Sequence, residues 1–291
     1  RHGDDYFVLE TTSHGIDQYR VWGIHFKVGV LTNVSREHLD YHKTYGNYAK
    51  TKAKLLLSAD TAIYNKDDQS YNLIDGIMKK HHKRVLTYSL KEDVQEGTDV
   101  SWSADIKTSI KEDYNKQNIL AAYACCLSLG MDKESILKGI ESFVLPKGRM
   151  DIVYDKDFMV IVDFAHTPHS IRQLLKNIKK HYKRKIIHIF GSAGERDQEK
   201  RTDMGRASSE FADAVILTEE DYRNESFTNI CKSIEKGLLE NSFTFCHPDK
   251  MKEDDVCYTV IQDRSEAILY GISNAKKGEV VVITGKSHEK S

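Results

Sequence analysis

The chain has 291 residues, 40% of them hydrophobic, which is enough for two cores rather than one. Its 43 basic and 44 acidic residues leave a formal net charge of -1, so no global attraction draws it to nucleic acid or an anionic membrane, and any anionic ligand needs a local site. No apolar run is long enough to span a membrane and no signal peptide is visible. Cys125, Cys126, Cys231, Cys246 and Cys257 form no CxxC pair and are odd in number, which predicts free thiols in a reducing cytoplasm.

In chain order, Tyr6 to Leu9 and Lys27 to Leu31 read as buried strands, Tyr45 to Leu57 as a helix and Thr61 to Tyr64 as a short strand. A polar helix near Gln69 to His81 precedes a strand at Val85 to Tyr88. Val100 to Ile110 alternates like a half-exposed strand, and Asn115 to Leu129 is an apolar helix ended by Gly130. After a helix at Lys133 to Phe143, Pro146 and Gly148 punctuate the chain, which puts a domain boundary between residues 146 and 147.

The second half is more regular, with strands at Phe158 to Val162, Lys185 to Phe190, Ala214 to Leu217, Phe243 to Cys246 and Val280 to Thr284. Helices fall between them at Ser170 to His181, Thr202 to Phe211, Phe227 to Leu239 and Arg264 to Ala275. This alternation predicts the α/β class, a mostly parallel sheet with helices on both faces and ligands at the carboxyl ends of the strands. The chain opens on RHGDDYFVLE without an initiator methionine and stops at TGKSHEKS just past a strand, so it is expected to be a fragment of a larger protein.

Two regions concentrate chemistry. In the first half, His38, Asp40 and His42 follow a strand, and imidazoles four apart share a helix face, which suggests a metal site such as zinc; the bland alternative is a solvated turn. Glu10 at a strand end is either a carboxylate ligand beside His38 or a simple strand-end charge, and Gln18 and Arg20 follow on one helical turn. Lys52 falls three or four residues from Tyr45, Tyr48 and Leu55, so unlike Lys50 and Lys54 it is expected to point inward, where burial lowers an amine's pKa.

In the second half, four successive strand ends carry charged or glycine-bearing loops: DFAHTP from Asp163, GSAGERDQEKR from Gly191, TEEDYRNE from Thr218 and TGKSHE from Thr284. Gly191 and Gly194 would let backbone approach a ligand, with Arg196, Lys200 and Arg201 offered to phosphate or carboxylate. There is no GxGxxG fingerprint. The GKS at Gly285 to Ser287 is no phosphate loop, because Val280 stands where glycine is required and no helix follows.

LETTSHGIDQYR, LTNVSREHLDYH, YAKTK, YNKQNILAA, KGRM, VDFAHTP, GSAGERDQEKR, TEEDYRNE and GKSHE together resemble the Mur ligases. The likeness covers essentially the whole chain and is greatest to the branch that adds the third residue of the peptidoglycan peptide. It implies the remainder of a P-loop-type central ATPase domain over residues 1–146, followed by a Rossmann-like C-terminal domain over 147–291 that is truncated at its end. The implied reaction has ATP phosphorylate the D-glutamate carboxylate of a UDP-muramoyl dipeptide, after which the amine of a diamino acid attacks the acyl phosphate.

The implied cofactors are ATP and Mg2+, which replaces the zinc reading. Glu10 and His38 match magnesium ligands, and Lys52 matches a lysine that is carbamylated to act on a second magnesium. Thr12, Gln18 and Arg20 match positions that hold the muramoyl peptide, and Asn118, Arg149 and Asp163 match nucleotide-side residues. Arg196, Glu220, Asp221, Arg223, Gly285 and Glu289 match residues that recognise meso-diaminopimelate.

Departures bear on the last set. The diaminopimelate enzymes read DNPR where this chain reads Glu220, Asp221, Tyr222, Arg223, and GKGHE where it reads GKSHE. Asp221 adds negative charge and favours an ammonium end, whereas retained Arg223 favours a carboxylate, so diaminopimelate is expected with L-lysine as the alternative. The resemblance further implies a cytoplasmic monomer of cell-wall biogenesis, serving cell shape and division, with no nucleic-acid partner and no membrane insertion. The family's uridine-binding domain and phosphate loop would lie upstream, so the chain alone is expected to be inactive. The competing readings are a noncatalytic Mur-like binding module, a zinc hydrolase on His38 and His42, and a folylpolyglutamate synthase.

Overall fold

The structure is a computed structural model and describes residues 3, 5–35, 38–91, 99–195, 197–248 and 256–286. The chain divides into two compact units, Arg1–Phe143 and Val144–Ser291. Both are α/β, as expected.

The first unit runs α1 (Ser13–Asp17), β1 (Phe26–Leu31), α2 (Leu39–His42), α3 (Tyr45–Ser58), β2 (Ala59–Asn65), α4 (Tyr71–Lys80), β3 (Arg84–Ser89), β4 (Val100–Ser101), α5 (Asp113–Ser128) and α6 (Lys133–Ser142). Its strands lie in the order β1-β2-β3-β4, every pair parallel. α3 starts where the Thr44 hydroxyl accepts from the Asn47 amide, an N-cap that satisfies one otherwise orphaned donor. Its Tyr48, Ala49, Ala53 and Leu56 then pack with Leu31, Ala62, Tyr64, Ile74 and Met78. Gly29 of β1 admits this helix closely, since a Cβ there would stand 3.3 Å from the Leu55 carbonyl.

Two expected strands fail in this unit. Tyr6 to Leu9 forms no strand and is exposed, Val8 at 94%, because no strand pairs with it among the described residues and an apolar run without a ladder buries nothing. Val100 to Ile110 pairs with β3 only over Val100–Ser101. The chain then turns, the Ile106 amide donating to the Ser103 carbonyl, and the alternation reflects separate buried anchors at Ile106 and Ile110.

The second unit runs β5 (Asp151–Asp155), β6 (Met159–Asp163), α7 (Pro168–Tyr182), β7 (Ile186–Phe190), α8 (Lys200–Ser209), β8 (Ala214–Leu217), α9 (Phe227–Leu239), β9 (Thr244–Phe245), β10 (Cys257–Val260), α10 (Arg264–Asn274) and β11 (Val280–Thr284). The order is β5-β6-β11-β7-β8-β10-β9, with only β5 antiparallel. One core lies under α7, α8 and α9, and a smaller one on the opposite face holds Val160, Ile189, Ile216, Val281 and Ile283 against Ala267 of α10. β11 is buried on both faces, which accounts for its unbroken VVVI run.

β11 returns late in the chain to lie between β6 and β7, so the carboxyl ends of β6, β11, β7 and β8 stand side by side at a reversal of strand order. Such a reversal opens a crevice between neighbouring loops.

Candidate active site

The β7 and β8 loops are locked together along their backbones. A Cβ at Gly191 would fall 2.2 Å from the Thr218 carbonyl oxygen, and one at Gly194 only 2.1 Å from that of Tyr222. The Gly194 amide donates to the Asp221 carbonyl at 2.8 Å. These glycines therefore admit a neighbouring loop, which corrects the expectation that they admit a ligand; their Cβ directions are occupied by protein. Arg201 is likewise not offered outward, because it is buried and forks onto Glu225.

What the locked loops present is Glu220. Its Oε2 is buried and has no hydrogen-bond partner among the described residues. It faces Gly285 at the end of β11, where a Cβ would stand 3.1 Å from Oε2. Burial pushes the Glu220 carboxyl above its ordinary value, against the pull of Lys200, His166, Arg264 and Lys286. A buried carboxylate oxygen without a hydrogen-bond partner among the described residues is open to a donor brought by a ligand. Arg264 ties this wall together by donating to the carbonyls of Glu219 (3.4 Å) and Thr284 (2.9 Å), and Lys200 donates to the His166 carbonyl at 3.1 Å.

Arg223, in left-handed backbone at φ +52, lies beside Asp221, Nε to Oδ2 3.5 Å. The aspartate thus supplies the arginine with its own counter-ion. Glu220, Asp221, Arg223 and Gly285 are brought to one wall, while Arg196, Glu289 and the Asp40 side chain lie outside the described residues.

At the end of β6, Asp163 accepts from the amides of Met150 (2.7 Å) and Ala165 (2.8 Å), and the Arg149 guanidinium lies 4.6 Å from the Phe164 ring centroid. Arg149 and Asp163 are therefore neighbours despite their separation in sequence. Asn118 belongs to the other unit, exposed on α5.

In the first unit the Thr12 hydroxyl caps α1 by accepting from the Gly15 amide at 3.0 Å, and the Gln18 side chain accepts from Arg20 at 2.7 Å. Thr12 and Gln18 are the two caps of α1, and Arg20 lies in the turn that follows. Within α1, His14 meets His38 edge-on at 5.0 Å and His42 at 5.6 Å. His38 is not on a helix face with His42: it is the left-handed N-cap of α2, φ +56, and is exposed, whereas His42 is buried at 3.0 Å from the Ser13 hydroxyl. Both imidazoles nonetheless approach the rings of His14 and Tyr48.

Lys52 is half-buried with Nζ 5.0 Å from the Tyr48 ring centroid, and His38 stands 6.0 Å from the same ring. Lys50 and Lys54 are exposed, Lys54 pairing with Asp17. Glu10 is exposed in the segment before α1. Among the described residues no group of three or more His, Cys, Asp or Glu converges as a metal site.

Sequence reasoning missed Arg264, His166 and Glu225 as parts of the second-unit wall. Arg264 carries no local signal, being simply the first residue of a helix. Glu225 could have been suspected from its place in an acidic loop opposite a basic one.

This two-unit α/β chain, with charged loops at its strand ends, belongs to the Mur ligases: residues 1–126 match the Mur ligase middle domain, and residues 148–287 match the family described as Mur ligase, glutamate ligase domain. The chain is similar to the UDP-N-acetylmuramoyl-L-alanyl-D-glutamate--2,6-diaminopimelate ligases of Aquifex aeolicus (35% identity over 97% of this chain and 58% of that protein) and Clostridium tetani (33% over 99% and 59%). A solved structure of a ligase of that name aligns over 96% of this chain and 58% of its own, with a TM-score of 0.55 at 29% identity. The chain thus spans a little under three-fifths of the length of these relatives. No helix among the described residues is long and apolar enough to cross a membrane.

Proposed function

We propose that the chain is part of an ATP-dependent amide ligase that joins meso-diaminopimelate to UDP-N-acetylmuramoyl-L-alanyl-D-glutamate through an acyl phosphate, in the cytoplasmic stage of peptidoglycan synthesis. The observation that carries this reading is the buried, unpartnered Glu220 oxygen beside Gly285 at the strand ends. In this assignment Glu220 accepts the ammonium of the diamino acid, and Arg223 takes a carboxylate, with Asp221 tempering its charge. Arg196 and Glu289 complete the pocket. Arg149 and Asp163, with Asn118, serve the nucleotide, while Thr12, Gln18 and Arg20 hold the muramoyl peptide.

Carbamylation of Lys52 would turn its amine into an anion with the oxygen donors that a hard cation needs, beside the tyrosine ring that His38 also approaches. Glu10, His38 and the Lys52 carbamate would hold Mg2+, which when bound offsets charge on the transferring phosphoryl group. Residues 1–146 would then be the ATP-side domain and 147–291 the amino-acid domain, with the protein working as a monomer.

Phosphate release measured on the gene's full product with ATP, Mg2+, the muramoyl dipeptide and either meso-diaminopimelate, L-lysine or L-ornithine tests the reading. Diaminopimelate is expected to give the fastest turnover, and the 291-residue chain alone is expected to give none. A preference for L-lysine would assign the pocket to the alternative substrate, which the Asp221–Arg223 pairing favours.

A further inference from the structure

Among the described residues Arg201 is the largest side chain buried below 2% exposure, at 1%. From the first turn of α8 it donates two parallel hydrogen bonds to Glu225, at 2.5 and 2.7 Å, and a third to the Ala193 carbonyl at 3.2 Å. Glu225 Oε2 also accepts from the Glu195 amide at 3.1 Å. One ion pair thus joins α8, the β7 loop and the β8 loop. Asn224 adds a strut, its amide donating to Glu195 Oε1 at 3.1 Å. The seam continues through the hydrogen bond from Gly194 to Asp221 and reaches Glu220 within one further residue.

A buried ion pair generally stabilises a fold no better than apolar residues of similar volume, since desolvation offsets the attraction. Its distinctive property is geometric, because a planar guanidinium on a carboxylate fixes both separation and orientation. Hydrogen bonds from Arg201, helped by the Glu195 amide and the Arg201 charge, hold the Glu225 carboxyl down to about 2, so the pair stays ionised across the physiological range.

We infer that Arg201 and Glu225 are positioning residues for the amino-acid pocket: their ion pair sets the spacing of the β7 and β8 loops and so aims Glu220, Asp221 and Arg223 at the ligand. This rests on the pocket reading given above. Neither residue touches the ligand, so both act through the loops they join.

The test is calorimetric titration of meso-diaminopimelate into the 291-residue chain and into Arg201→Lys, Arg201→Met and Glu225→Gln. Lysine keeps the charge and loses the fork; glutamine keeps the shape and loses one of the charge-assisted bonds. The expected result is a Kd raised about tenfold in Arg201→Lys and Glu225→Gln with the number of sites unchanged. Amide exchange at Gly194 and Glu195 is expected to speed up in the same variants. A variant that merely misfolds would lower the number of sites at unaltered Kd, and that result would overturn the inference, as would an unchanged Kd in well-folded variants. If the unmutated chain binds neither diaminopimelate nor L-lysine, the pocket reading itself fails and takes this one with it. If the unmutated chain binds and the variants bind equally, only the positioning role is lost.

Discussion

Glu220→Gln separates the needs of the ligand from those of the fold. The wild-type protein keeps a carboxylate with one buried, unbonded oxygen, and an unsatisfied buried polar or charged atom costs on the order of 1–3 kcal/mol. Lys200, His166, Arg264 and Lys286 offset part of that cost, but the carboxyl still lies above its ordinary value, so burial outweighs them. Glutamine removes the charge and leaves a neutral amide, so the unliganded variant is expected to be more stable by about 1 kcal/mol near neutral pH, or roughly 2–4 °C in Tm.

The pH dependence has a definite sign. Because the folded-state value is raised, the native state binds the proton more tightly than the unfolded chain does, and stability declines as pH climbs from the ordinary carboxylate range through the folded value. Below that range Glu220 is protonated in both states. The advantage of the variant should therefore be near its minimum around pH 4, grow with rising pH and then level off. Thermal or urea melts from about pH 4 to 8 measure it. A variant less stable at neutral pH, or a difference flat across the range, would refute the unpaired-carboxylate argument. The same variant should lose affinity for the diamino acid, and wild-type affinity should weaken as Glu220 protonates.

Other perturbations bear on the same wall. Gly194→Ala would drive a methyl into the Tyr222 carbonyl, so denaturant melts should show a loss of about 1–3 kcal/mol, together with weaker diamino-acid binding. Asp221→Asn removes the counter-ion of Arg223, and competition binding should show the ratio of diaminopimelate to L-lysine affinity rising; Arg223→Ala should abolish any preference for diaminopimelate. Glu225 contributes stability that is present above the ordinary carboxylate range and lost as pH falls toward about 2, and acid titration of Glu225→Gln should lack that slope.

Much of the second unit was legible because its strands are buried on both faces and read as unbroken apolar runs; Ala214–Leu217 and Val280–Thr284 emerge with the expected bounds. The half-buried face of Lys52 was equally readable from its spacing to Tyr48 and Leu55. Where periodicity misled, partners were the reason. Tyr6 to Leu9 has the composition of a strand and no ladder, while β5 is a real strand with Ile152 and Val153 exposed.

The site divides along the same line. The sequence by itself determined which residue types gather at each strand end, because charged loops interrupt apolar runs at regular intervals and the motif set defines the family. Only the tertiary structure decided their duties. The two loop glycines face neighbouring backbone, Arg201 is consumed by Glu225, His42 by Ser13, and Glu220 is left with a buried carboxylate oxygen unbonded among the described residues. Such allocation depends on distances between segments far apart in the chain. A local pattern sets which way a side chain points along its own element, but which partner meets it there is set by how the strands are ordered.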